Sequence, residues 1–107
     1  MADHKRKIID FLKYFSHKKT SERVIFINSE NRREIAYLIE IFINILQGTI
    51  KIGAKLFNRL NAVRDLIRKI ISKKTSLSEK ITLLKSEKIL NILNYLLPRA
   101  INYLSKT

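Results

Sequence analysis

The chain has 107 residues, 46% of them hydrophobic, and its 22 lysines and arginines against nine aspartates and glutamates give a net charge of +13. A single domain, residues 1–107, is expected at this length, and the apolar content excludes an unstructured basic tail. Two glycines and one proline are too few for a fold rich in hairpins. The absence of cysteine excludes disulfides and a Cys-type zinc site.

Hydrophobic spacing predicts a helix over residues 4–18. Its apolar positions recur at intervals of three and four residues, which places them on one helical face. Residues 20–27 follow, with Thr20 or Ser21 as the predicted N-cap. This segment has strand propensity, but the sequence offers no second strand with which it would pair. A short helix or turn is therefore predicted.

The third segment has the clearest pattern. Ser29 or Asn31 is its predicted N-cap, and Glu34 completes a capping box with Asn31. Apolar residues occupy nearly all sides of the helix between positions 35 and 46, which indicates a buried central helix. Gly48 is the predicted C′ residue, because glycine adopts the left-handed conformation of that position at little cost.

A fourth helix is predicted over residues 53–72. Five apolar residues, spaced alternately by four and three positions, form its packing seam: Leu56, Leu60, Val63, Ile67 and Ile70. Ser76 and Glu79 predict a second capping box and a fifth helix to about residue 85. A sixth helix capped by Ser86, or a continuation of the fifth, covers residues 89–104, and Pro98 is expected to kink or stop it. The predicted fold is an all-α, compact bundle of five to six helices.

The excess positive charge is concentrated between residues 51 and 88, where eleven basic residues face three acidic ones. Basic side chains repeated on helices neutralise phosphates without reading bases. The predicted nucleic-acid contacts are Lys51, Lys55, Arg59, Arg64, Arg68, Lys69, Lys73, Lys74 and Lys80. These residues predict sequence-tolerant binding to nucleic acid, with double-stranded DNA as the first candidate.

No catalytic arrangement accompanies this charge in the sequence. His4 and His17 have no carboxylate at metal-ligand spacing and are interpreted as surface residues. The sequence has neither a phosphate-binding loop nor a nucleophile elbow. The four tyrosines are interpreted as residues at the edge of the core rather than as a platform for base stacking. We therefore expect a non-enzymatic protein without a cofactor or metal.

The order of several motifs resembles the small basic condenser proteins of adintoviruses and related polinton-type double-stranded DNA viruses. In that family an apolar helix ends in glycine, and a basic helix with spaced leucines, a Lys-Lys-x-Ser joint and a Leu-Leu pair follow. The corresponding positions here are 44–48, Leu56 and Leu60, 73–77, Lys80, and Leu83 with Leu84. The family often has Gly-Gly-Phe after the Leu-Leu pair, where this chain has Lys-Ser-Glu-Lys at 85–88.

The resemblance implies condensation of viral DNA, in a virion core or a host nucleus. Condensation requires bridging, and therefore a homo-oligomer or a second basic surface formed by residues 5–7 with Lys18 and Lys19.

Two alternatives stay open: a membrane-active amphipathic helix over residues 89–104, and a helical scaffold or adaptor that binds an acidic or helical partner. The start of the chain does not resemble a signal peptide, and the longest apolar run is too short to span a membrane. Outside a viral setting we expect a soluble intracellular protein.

Overall fold

The structure of the protein, a computed structural model, describes residues 2–106 and is all-α, as the sequence predicts. Within that range it contains seven helices and no strand. The helices are α1 (Ala2–Ser16), α2 (Thr20–Phe26), α3 (Arg32–Leu46), α4 (Ala54–Asn61), α5 (Arg64–Ile71), α6 (Leu77–Leu84) and α7 (Glu87–Lys106), with a 3₁₀ turn at Ser29–Asn31 before α3. The prediction of five to six helices is wrong because the predicted fourth helix is divided into α4 and α5.

The helices enclose one hydrophobic core, and the radius of gyration is 13.0 Å, as expected for a compact chain of about this length. The long helix α7 packs against α1, α4 and α6, while α3 packs against α5 and α1. The largest side chains with almost no exposed surface include Phe15, Phe42, Leu93 and Leu96. Burial of apolar surface at about 25 cal/mol per Å² is the main force that holds such a bundle together.

Helix α3 is less enclosed than its sequence predicts. Its buried residues lie along one side, but Arg33, Ala36 and Glu40 form an exposed strip at helical spacing on another. The central position in the bundle is shared with α7, which buries seven residues. Pro98 lies inside α7 and does not stop it. The buried side chains of Leu96, Leu97 and Ala100 hold both halves of the helix against the core, and this packing compensates for the backbone hydrogen bond that proline removes.

Helix boundaries agree with the predicted caps in the second half of the chain. The Ser76 hydroxyl accepts a hydrogen bond from the Glu79 N–H at 3.2 Å and caps α6. The Ser86 hydroxyl accepts from the Ile89 N–H at 3.4 Å, so α6 and α7 are separate helices. In the first half the predicted N-cap of α2, Thr20 or Ser21, is wrong, since Lys19 is its N-cap, whereas Asn31 is the N-cap of α3 as predicted.

The predicted capping box of α3 is also wrong. Asn31 precedes the helix without a capping hydrogen bond from its side chain, and its amide instead donates to the Phe26 carbonyl at 2.6 Å. The side chain of Asn28 accepts from the Glu30 N–H at 2.8 Å and begins the 3₁₀ turn. Asparagine side chains favour such local backbone bonds, so the Asn31 side chain bonds to the preceding segment instead of capping α3.

Gly48 ends α3 as predicted, with φ of +81°. Its N–H donates to the Ile45 carbonyl at 3.1 Å, and the Thr49 N–H donates to the Asn44 carbonyl at 2.9 Å. These two bonds are the Schellman pattern, which satisfies carbonyls at a helix C-terminus.

We expect Gly48→Ala to lower the free energy of unfolding by about 1 kcal/mol, because a left-handed conformation is strained for an L side chain. No atom lies within 4 Å of a Cβ built at Gly48 or at Gly53, so the two glycines differ in conformation and not in space. Gly53→Ala is the matched control, since Gly53 has φ of −74° at the N-cap of α4, and it should cost only the difference between glycine and alanine as an N-cap, about 0.5 kcal/mol. Urea denaturation followed by circular dichroism measures both. Equal effects of the two substitutions would contradict this account of Gly48.

Candidate functional site

The predicted basic residues lie at the surface in one continuous part of the chain. Eight of the nine are exposed, and Lys80 is half-buried. Lys51 precedes α4, which carries Lys55 and Arg59. Helix α5 carries Arg64, Arg68 and Lys69, the following loop carries Lys73 and Lys74, and Lys80 lies on α6.

These charges are not neutralised inside the molecule. Among residues 2–106 the one ion pair within 4.0 Å joins the Lys18 Nζ to the Glu22 Oε2 at 3.9 Å, on α2 and the turn before it. None of the nine predicted contacts takes part in it. An excess charge of this kind disfavours the compact state by self-repulsion and attracts anionic partners. The basic side chains of α4–α6 are therefore available to such a partner.

The two-residue break between α4 and α5 divides the predicted basic surface. Val63 has φ of −118° and ψ of 15°, and its N–H donates to the Leu60 carbonyl at 3.0 Å, three residues back instead of four. Helix α4 then packs mainly against α7, whereas α5 packs mainly against α3 and α6. All five residues of the predicted seam are buried, but they face two different sets of neighbours. Lys55 and Arg59 therefore share one short helix, and Arg64 and Arg68 share another.

A groove on one side of α4 brings two of the predicted residues together. Lys51 and Arg64 both line it, with Phe57 and Asn61 between them, and its volume is about 290 Å³. Its apolar lining is built mostly from residues of α3 and the loop that follows. The Arg64 Nη1 donates to the Asn61 Oδ1 at 3.2 Å, which links two of the residues that line the groove. We call this the Phe57 groove.

A second groove lies between α4 and α7 and has a volume of about 310 Å³. Its polar lining is Arg59, Lys88, Asn91 and Tyr95. The Arg59 guanidinium carbon lies 4.5 Å from the centre of the Tyr95 ring, a cation–π distance. Such a contact orients the guanidinium without using its N–H donors, which stay available to an anion. We call this the Tyr95 groove.

Sequence reasoning missed several residues of these grooves. Tyr95 was predicted at the edge of the core, but 43% of its surface is exposed, and Phe57 is 46% exposed. Of the other tyrosines, Tyr37 is buried and Tyr14 is half-exposed. A signal was present in α7, where Lys88, Asn91 and Tyr95 follow helical spacing on the side away from the apolar residues.

A third basic groove lies on α1, outside the predicted contact set. It is lined by Lys5, Arg6 and Lys13, with Asp10 and Leu104 at its edge, and has a volume of about 420 Å³. It includes part of the second basic surface expected from the sequence. His4 and His17 are exposed, as interpreted, and the His4 ring contacts the edge of Tyr37 at a centroid distance of 6.0 Å.

The apolar face that the membrane alternative requires is buried. The residues of α7 in contact with the core include Ile89, Leu93, Leu96 and Leu97, so this face would reach a bilayer only if the bundle opened. Within residues 2–106 no helix is both long and apolar enough to cross a membrane. The described part of the chain also holds no group of three or more His, Asp or Glu side chains placed to bind a metal ion.

Comparison with known proteins finds no relative of this chain. No protein-family model matches the sequence, and neither a curated protein nor a solved structure is significantly similar to it. The candidate site is therefore defined by its own chemistry: two basic grooves beside α4, each with an exposed aromatic ring.

Proposed function

We propose that the protein binds the sugar–phosphate backbone of nucleic acid, without reading its sequence, through the surface of residues 51–88. The observation that carries this proposal is the unneutralised charge of that segment. Eleven basic residues stand against three acidic ones, and none of the eleven forms an ion pair in the described part of the chain. A polyanion supplies the neutralising charge that the fold lacks.

The composition of this surface favours backbone contact over base readout. Eight of its eleven basic residues are lysines, and lysine is a flexible point charge that neutralises phosphates. Arginine makes the bidentate contacts with guanine that specify sequence, and only three are present. Each neutralised phosphate releases condensed counterions, and this release drives binding at low salt.

Compaction of viral double-stranded DNA is the more specific form of the proposal. The resemblance to condenser proteins suggests it, with a virion core or host nucleus as its setting. Compaction needs a second contact on each molecule, and the α1 groove with Lys5, Arg6 and Lys13 offers one. Self-association of the chain is the other means of bridging two duplexes.

The test is fluorescence anisotropy with a labelled 25-base-pair duplex of random sequence across a series of salt concentrations. We expect the logarithm of the binding constant to fall with the logarithm of salt at a slope of about −4 to −8, which corresponds to roughly five to nine neutralised phosphates. Unrelated duplex sequences should bind within about threefold of one another, since phosphate contacts carry no sequence information. Absence of binding at the lowest salt would reject the proposal, and liposomes and acidic proteins would be tested next.

A further inference from the structure

The two grooves beside α4 have the same set of side chains. The Phe57 groove has Lys51, Arg64, Asn61 and an exposed phenyl ring. The Tyr95 groove has Arg59, Lys88, Asn91 and an exposed phenol ring. Each therefore combines two cations, one side-chain amide and one aromatic ring, although α3 and its loop complete the first groove and α7 completes the second.

Phosphate binding does not account for the two exposed rings, and packing accounts for only part of the Tyr95 ring, which lies against the Arg59 guanidinium. Leaving a large aromatic ring in water forgoes stabilisation that burial would give, and a phosphate gains nothing from a phenyl ring. Phe57 and Tyr95 each leave more than two fifths of their surface exposed, beside cations in both cases. A ligand that is both flat and anionic would cover the ring and pair with the cations.

The helix between the grooves is free of acidic residues. No aspartate or glutamate occurs between Glu40 and Asp65, so α4 and the loops on both sides of it carry only positive or neutral side chains. The exposed residues of α4 include Lys55, Asn58 and Arg59. A phosphate chain would meet no repulsion as it passed over α4 from one groove to the other.

We propose that the Phe57 and Tyr95 grooves bind unpaired nucleotides of a single-stranded nucleic acid, with one base stacked on each ring. Arg64 and Lys51 then contact phosphates at one groove, and Arg59 and Lys88 do so at the other. Asn61 and Asn91 are placed to hydrogen-bond with base edges. This inference rests on the proposed function and specifies the class of nucleic acid that the surface accepts.

Duplex and single strand differ in what they offer these grooves. In a duplex the base faces are covered by their neighbours, so a surface ring has no face on which to stack. Unpaired bases stack on aromatic side chains and on arginine planes, and this contact tolerates any sequence. The Arg59 guanidinium already lies over the Tyr95 ring, which places a cation and a ring together at one base-binding position.

The test compares two single strands with the same number of phosphates: a 20-mer of deoxythymidine and a 20-mer without bases. We expect wild-type protein to bind the thymidine strand about tenfold or more tightly than the abasic strand. The variant F57L/Y95L should lose about tenfold or more in affinity for the thymidine strand. Its affinity for the abasic strand, and its salt slope, should be unchanged because no charge has been removed. Leucine keeps apolar contact with the groove walls and protects the fold, which circular dichroism verifies.

The matched control is Y14L, which removes a comparably exposed ring on α1. The cation over that ring, Lys18, is paired with Glu22, so this variant should leave both affinities unchanged. The inference is overturned if wild-type protein binds both strands equally, or if F57L/Y95L binds the thymidine strand as wild type does. In either case binding to the random duplex would still support the proposed function. If wild-type protein bound neither the duplex nor either single strand, the proposed function itself would be rejected.

Discussion

The variant K55E/R59E/R64E/R68E is expected to lose at least on the order of 100-fold in affinity for a random duplex while it keeps its helical content. The four side chains are exposed, and each substitution changes the charge by two, so the net charge falls from +13 to +5. Four phosphate contacts are removed, and the salt slope should become shallower by about four. Anisotropy across the salt series measures both quantities, and circular dichroism checks the fold.

The matched control places the same charge change on another helix. K5E/R6E/K7E/K13E alters four basic residues of α1, which are exposed or, for Lys5, half-exposed. If α4 and α5 form the binding surface, this control should lose far less affinity for a short duplex than the α4–α5 variant. Equal losses would show that net charge alone governs binding. Unchanged binding by the α4–α5 variant would show that these two helices are not the site.

Local rules of sequence account for most of the fold. The burial of Leu56, Leu60 and Ile67 follows from their spacing, and Gly48 and Ser76 end and begin helices as their backbone chemistry requires. Each of these features depends on residues only a few positions apart, so the sequence contains the necessary information. The all-α class was therefore predictable from spacing, capping residues and the scarcity of glycine and proline.

The break between α4 and α5 was not predictable in the same way. The seam residues continue across Ala62 and Val63 with unbroken helical spacing, and neither residue is a helix breaker. The division follows from the different packing partners of α4 and α5, which local sequence does not reveal. Tertiary packing commonly overrides weak local propensity in this manner.

The composition of the candidate site was predictable, but its geometry was not. The concentration of basic residues between positions 51 and 88 is visible in the sequence, and eight of the nine predicted contacts are exposed. The Tyr95 groove brings Arg59 to Tyr95 and Lys88 across more than 25 positions of sequence. The spacing of Lys88, Asn91 and Tyr95 places them on one polar side of α7, but only the packing of α4 on α7 brings Arg59 to that side.

A buried arginine, Arg23, is expected to make a large contribution to the stability of the fold. Arg23 lies on α2 and is only 4% exposed. Its Nε donates to the Phe15 carbonyl at 3.1 Å, its Nη2 to the Ser16 carbonyl at 3.1 Å, and its Nη1 to the Asn94 Oδ1 at 2.6 Å. The Arg23 side chain thus donates to backbone carbonyls at the C-terminal end of α1 and joins α1 and α2 to α7. No acidic side chain pairs with it within the described residues, so three neutral acceptors compensate for a buried charge.

We expect Arg23→Met to lower the free energy of unfolding by about 2–4 kcal/mol, because the Ser16 carbonyl loses its donor and the Phe15 carbonyl keeps only the Lys18 N–H at 3.1 Å. The melting temperature should fall by about 10 °C or more. Asn94→Ala removes only the partly exposed acceptor and should cost about 1 kcal/mol or less. Urea denaturation and thermal melting, both followed by circular dichroism, measure these changes.

Arg33→Met is the control for the same chemical change at the surface, since Arg33 is exposed on α3, and it should stay within about 0.5 kcal/mol of wild type.

Burial lowers the pKa of Arg23 by disfavouring its charged form. This cost is present whenever the guanidinium is protonated, and arginine stays protonated at every pH at which proteins are ordinarily folded. The difference in unfolding free energy between wild type and Arg23→Met should therefore not vary with pH. If Arg23→Met were as stable as Arg33→Met, the three hydrogen bonds would do no more than offset the burial of the charge. The connection of α1 and α2 to α7 would then depend on the surrounding aromatic core, in which the Phe15 ring lies 5.2 Å from the Arg23 guanidinium carbon.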